Sequence, residues 1–184
     1  MKIILKIIKI ILILLASLFA LMLLCLALTW GLFLSVNGKE QADQETVMDG
    51  QGTGKVLILY QESRMGLTED VVKAAAETFQ TEGYSVVMNH PREDSAYVPE
   101  DYDIIVLASP VYVGEVSKPL IAYAGSHDFA GKKVMVLLTG GDVNTQTELA
   151  KVQDQLANAS FVKAIKVDQT GETLNSAVEE LTAQ

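Results

Sequence analysis

The residues most able to do chemistry lie together in Tyr60-Gln61-Glu62-Ser63-Arg64-Met65-Gly66-Leu67-Thr68. A loop carrying Ser, Arg, Gly and Thr into a helix start can hold a phosphate. Its backbone N–H groups point at the anion, the helix dipole favours the charge, and the hydroxyls add donors. Arg64 can supply a charge-assisted bond. The competing reading is purely structural, with Gly66 making the turn and Thr68 capping the helix. His90 and His127 have no second His or Cys at ligand spacing, so no metal site is expected.

Such a loop needs rigid elements on both sides. Lys55-Val56-Leu57-Ile58-Leu59-Tyr60 is a short apolar run between Gly54 and polar residues, and reads as a strand buried on both faces. Beyond the loop, Val71, Val72, Ala75, Ala76 and Phe79 recur at helical spacing from Thr68 to Gln80. Glu69 and Asp70 occupy the first turn and Gly83 marks the stop. Further strands are expected at Tyr84–Met88, Asp103–Ala108, Val134–Leu138 and Phe161–Val167. Helices are expected near Lys118–Ala124, Gln146–Ala157 and Thr173–Leu181, with an irregular crossover from Pro91 to Pro99. This alternation implies a parallel sheet with helices on both faces, and ligands in such sheets bind at the carboxyl ends of the strands. Two more loops occupy that end: Ser109-Pro110-Val111-Tyr112-Val113-Gly114-Glu115 and Thr139-Gly140-Gly141-Asp142-Val143-Asn144-Thr145.

Three stretches in order resemble the flavodoxin family: Lys55 to Phe79, Asp101-Tyr102-Asp103-Ile104-Ile105-Val106-Leu107-Ala108-Ser109-Pro110-Val111-Tyr112, and Gly131 to Gly141. The resemblance implies a three-layer α/β fold whose open sheet has five parallel strands in the order 2-1-3-4-5. It also implies noncovalent FMN, with the phosphate in the first loop and the isoalloxazine ring between the other two. Carried over by position, Ser63, Arg64, Met65, Gly66, Leu67 and Thr68 surround the phosphate. Ser109, Pro110, Val111, Tyr112 and Gly114 meet one side of the ring, and Gly140, Gly141 and Asp142 the other. Tyr112 is the stacking candidate, with a flat apolar face and a hydroxyl that can stay wet. The Ser-Arg pair, followed two residues later by Gly, is similar to quinone-reductase-like and protoporphyrinogen-oxidase-like relatives.

The first loop departs from the family pattern. Leu67 stands where Asn is usual, Met65 replaces a hydroxyl or His, and the loop is one residue longer after Tyr60. Glu62 places a carboxylate near the phosphate, which at ~4–8 Å is unfavourable by ~0.5–4 kcal/mol depending on the effective dielectric. Two functions follow from different classes. One is an FMN-dependent electron carrier or small quinone-type oxidoreductase. The other is a flavodoxin-like module with a degenerate FMN site, serving as a binding or scaffold domain. A phosphoacceptor receiver domain is disfavoured because Ser109-Pro110 stands where an Asp is required. No Gly-x-Ser-x-Gly nucleophile elbow occurs.

The chain has 184 residues and three expected parts: an anchor over 1–36, a flexible linker over 37–54 and the α/β domain over 55–184. Ile10 to Val36 contains no charged residue, which exceeds the ~20 apolar residues that cross a bilayer. It is also too long for the ~7–15-residue core of a cleavable signal peptide. Lys2, Lys6 and Lys9 precede it, whereas Lys39 is the only base before Lys55, so the positive-inside rule puts the N-terminus in the cytoplasm and the domain outside. With a net charge of −9 overall and three lysines but no acid in the first 36 residues, the remainder carries −12. That charge disfavours nucleic acid as a partner. The expected partners are FMN, the membrane through the helix, and a redox or membrane protein. Cys25 is the sole cysteine and lies in the apolar run, so the domain contains no disulfide.

Overall fold

The computed structural model describes residues 2–183 apart from 93 and 141. The chain divides into two units, Met1–Val36 and Asn37–Gln184. The first unit is almost entirely α1 (Lys2–Asn37). Over Ile3–Phe33 its mean hydropathy is 3.1, long and apolar enough to cross a membrane. Its Ile and Leu side chains are exposed on every side, as in a helix that meets an apolar solvent all round. The hydroxyls of Ser17 and Thr29 donate to the carbonyls of Leu14 and Leu26, so neither polar side chain needs water.

The second unit is an α/β domain. Its strands are β1 (Thr46–Met48), β2 (Lys55–Tyr60), β3 (Ser85–Asn89), β4 (Ile104–Pro110), β5 (Lys133–Thr139) and β6 (Phe161–Val167). Its helices are α2 (Leu67–Thr81), α3 (Lys118–Ser126), α4 (Thr147–Gln153) and α5 (Glu172–Ala183). The sheet order is β1-β3-β2-β4-β5-β6. The five parallel strands keep the expected order, but the sheet has six strands and is mixed, because β1 pairs antiparallel with β3. β2, β4 and β5 are the central strands, and their apolar runs are buried on both faces. One face packs against α2 and α5 through Val71, Ala75, Phe79, Leu174 and Val178. The other packs through Leu57, Leu107, Val136, Leu120, Phe129 and Leu149.

The segment read as a linker is fastened along the edge of the domain. Gln41 bonds to Glu62, Asp43 and Gln44 to Asn89, and Glu45 to Tyr97. Farther along, β1 follows, then Gly50 N–H donates to Ser85 Oγ and Gly52 N–H to the Gly83 carbonyl. A Cβ on Gly50 would lie 2.3 Å from the Tyr84 carbonyl carbon, so the strap passes too close to the domain there for any other residue. These contacts are polar and of long sequence range. No apolar period announces them.

Candidate functional site

A cavity of about 540 Å³ opens at the carboxyl ends of β2, β4 and β5. It is lined by Ser63, Arg64, Met65, Leu67, Pro110, Val111, Tyr112, Thr139 and Gly140. Eight of these nine are residues expected from the sequence; Thr139 is the addition. Its hydroxyl meets that of Thr68 at 2.7 Å in the buried floor beneath the first loop. Thr139 ends β5, and a hydroxyl at the last strand position facing the first loop was the available signal.

The remaining expected residues take other places. Gly66 is the N-cap of α2, at φ +80°, a left-handed conformation that only glycine adopts at no cost. It, not Thr68, ends the loop, and Thr68 is fully buried within the first helical turn. Ser109 is also buried, donating its hydroxyl to the Pro110 carbonyl and accepting the Ser117 N–H, so it braces the second loop from below. Gly114 is at the loop tip, where its carbonyl accepts from Lys151. Asp142 is exposed and accepts from the backbone and side-chain amides of Asn144 and from the Thr145 hydroxyl; these bonds hold its carboxyl below the usual range. Gly141 lies outside the described residues.

Within the first loop, the Glu69 carboxylate reaches back from the first turn of α2. It accepts the Ser63 N–H at 3.0 and 3.1 Å and the Ser63 hydroxyl at 2.9 Å. Ser63 Oγ in turn accepts the Thr68 N–H at 3.1 Å. The Tyr112 hydroxyl accepts the Arg64 N–H at 2.8 Å, tying the second loop to the first. The N–H groups of Met65 and Leu67 have no acceptor among the described residues, and both residues line the cavity. Two backbone donors flanking the Gly66 N-cap of α2 are thus unspent beside the cavity.

The second loop turns tightly. Tyr112 and Glu115 exchange two backbone hydrogen bonds at 3.1 and 3.0 Å, and the residues between them, Val113 and Gly114, have φ of 54° and 71°. A two-residue turn of this kind needs positive φ at both positions. Glycine suits it, but β-branched Val113 is strained there. Val113 is 86% exposed, and Met65 in the first loop is 93% exposed.

Glu62 points away from the cavity. Its Oε2 accepts from Gln41 Nε2 at 2.8 Å, its N–H donates to Gln41 Oε1 at 3.0 Å, and its Oε1 lies 3.7 Å from His90 Nε2. His90 is buried. Its Nδ1 donates to the Tyr60 carbonyl at 2.8 Å, since a carbonyl can only accept. Burial beside Glu62 and Glu69 pushes the Tyr60 hydroxyl pKa up, with desolvation the largest cause.

The flavodoxin domain family matches residues 57–175, which includes all three loops. The chain belongs to that family. The fold agrees: a Streptococcus pneumoniae flavodoxin superposes with a TM-score of 0.55 at 21% identity, covering 71% of this chain and 99% of that one. Oxidised flavodoxin 2 from Bacillus cereus gives 0.52 at 21% identity, over 71% and 96%. A short-chain flavodoxin associated with a bacterial microcompartment gives 0.57 at 19% identity, over 71% and 98%. No curated protein matches the chain. Relative to the parallel flavodoxin-like sheet expected from the sequence, the strap and β1 are the additions to this flavodoxin domain.

Proposed function

We propose that this chain is an FMN-binding electron carrier or small quinone-type oxidoreductase held at a membrane by α1. One observation carries the reading: the cavity at the carboxyl ends joins open N–H donors at a helix start to an apolar chamber walled by Tyr112. The donors fit a phosphate and the chamber fits a planar aromatic ring. Met65 and Leu67 N–H would hold the phosphate, with the Arg64 guanidinium beside them. Tyr112, Val111 and Pro110 would wall one side of the ring, and Gly140 the other. FMN supplies the electron-transfer chemistry when bound, and the chain orients it and sets its electrostatic surroundings. A domain of net charge −12 disfavours an added negative charge on the reduced ring, which lowers its potential.

The test is direct. The purified chain mixed with FMN should retain flavin absorbance through desalting, with its fluorescence quenched. A colourless protein that leaves FMN fluorescence unchanged would sink the redox reading. It would favour the second one, a binding or scaffold module, which draws support from Ser63 and the Arg64 N–H already being engaged by Glu69 and Tyr112. On the positive-inside rule we further propose that the domain lies on the extracytoplasmic side, which a compartment-sensitive reporter fused at the C-terminus tests.

A further inference from the structure

The strap between α1 and the sheet reaches the loop that would seat the phosphate. It meets that loop at Gln61 and Glu62. The Gln41 side chain engages Glu62 twice, donating to its carboxylate at 2.8 Å and accepting its N–H at 3.0 Å. Gln41 is itself held, because Arg92 Nη1 donates to its carbonyl at 3.3 Å and Gln61 Nε2 donates to the carbonyl of Lys39 at 3.4 Å. On the far side, Glu62 Oε1 lies 3.7 Å from His90 Nε2, so the two hydrogen bonds to Gln41 are what hold the carboxylate against the strap. The next two residues along the chain, Ser63 and Arg64, line the cavity.

We infer that Gln41 is a positioning residue for the cofactor seat. By holding Glu62, the strap keeps a carboxylate off the anion-binding loop, and docking of the strap and binding of a phosphate-bearing ligand reinforce each other. The inference rests on the FMN reading above. Without Gln41, Glu62 loses its strongest tether. A half-exposed carboxylate is then free to approach either the phosphate or the Arg64 guanidinium, and both outcomes weaken an anion in the same loop. The effect depends on the ligand's phosphate and not on its ring. By linkage, whatever lifts the strap loosens the ligand, and the bound ligand steadies the strap to the same degree.

The experiment uses the full chain in detergent, titrated with FMN and with riboflavin, which carries the same ring without the phosphate. Gln41→Ala should weaken FMN by about 3- to 10-fold, the effect of one added charge interaction at partial screening, and leave riboflavin unchanged. Gln41→Glu, which sets two carboxylates against each other, should weaken FMN further. Glu62→Gln in the Gln41→Ala background should restore FMN affinity. Amide exchange over 41–48 should slow on adding FMN and not on adding riboflavin. If Gln41→Ala weakens both flavins equally, or if Glu62→Gln fails to rescue, the positioning role is overturned while the cofactor reading stands. A wild-type chain that binds neither flavin overturns both.

Discussion

Two cavities of nearly equal volume lie at opposite ends of the parallel strands, about 540 Å³ at the carboxyl ends and about 550 Å³ at the amino ends. The first is walled by Tyr112, Val111, Pro110, Leu67 and Met65. The second is lined by Gly52, Gly54, Gly83 and Gly131 together with Glu82, Asp103, Lys132 and Lys133. Size does not distinguish them. At the carboxyl end a helix begins and offers bare N–H groups beside apolar walls. At the amino end Asp103 accepts the Lys55 N–H and the Lys132 ammonium donates to the carbonyls of Glu100 and Tyr102, and glycines and charged side chains stand where the carboxyl end has apolar walls. A site for a planar aromatic ligand needs apolar walls as well as room.

The largest expected effect removes the shared support. Leu107 is fully buried in β4, and Leu107→Ala should cost about 2–5 kcal/mol; thermal melting should fall and flavin retention with it. Arg64→Glu acts at the carboxyl end alone. It should abolish FMN retention, a loss of at least about 1.5–3 kcal/mol from one charged hydrogen bond, with riboflavin binding and melting temperature unchanged. If FMN still binds, Arg64 is not its phosphate partner. Tyr112→Ala should weaken FMN and riboflavin alike, by about 0.5–1.5 kcal/mol beyond lost contact area, read by flavin fluorescence. Glu82→Ala, at the amino-end cavity, should change flavin affinity by less than about 0.5 kcal/mol; a larger change would mean that the two ends are not independent.

The two ends should also answer to opposite extremes of pH. Asp142 has a lowered folded pKa, so its contribution is complete above the ordinary value of 3.8 and is lost as pH falls through the folded value. Tyr102 beside the amino-end cavity is pushed up to about 12, mainly by burial, so its contribution is complete below 10.0 and is lost as pH rises through about 12. Amide exchange in acid should therefore open the loop after β5 first, and in alkali the neighbourhood of Tyr102 first. Equal opening of both regions at either extreme would refute this division.

Most of the carboxyl end was legible in the sequence because its elements carry strong periods. The apolar runs of β2, β4 and β5 fixed three strands, and the spacing of Val71, Ala75 and Phe79 fixed α2 to within a residue or two at each end. Thr68 does not cap α2, because a hydroxyl near a helix start also suits a buried contact, here with Thr139. The strap was illegible for a different reason. Gln41, Asp43 and Glu45 have a linker's composition, and their partners Glu62, Asn89 and Tyr97 lie 21 to 52 positions away. Local pattern holds no information about such pairs. Local pattern gives Glu62 as a carboxylate beside the phosphate loop, and only the fold shows it bonded to Gln41.

β1 has a consequence for how many copies of this domain can crowd together. Without it, β3 would present a row of unpaired backbone groups to any neighbouring chain, a template for sheet-to-sheet aggregation. Three residues, Thr46–Met48, cover that row with an antiparallel partner too short to template another. At the opposite edge, β6 carries Lys163, paired with Glu180, and Lys166, paired with the buried Glu148. Charges interrupt that strand as well. Among the described strands, the β3 border is covered by β1 and the β6 border carries Lys163, both devices that disfavour edge-to-edge pairing between crowded copies.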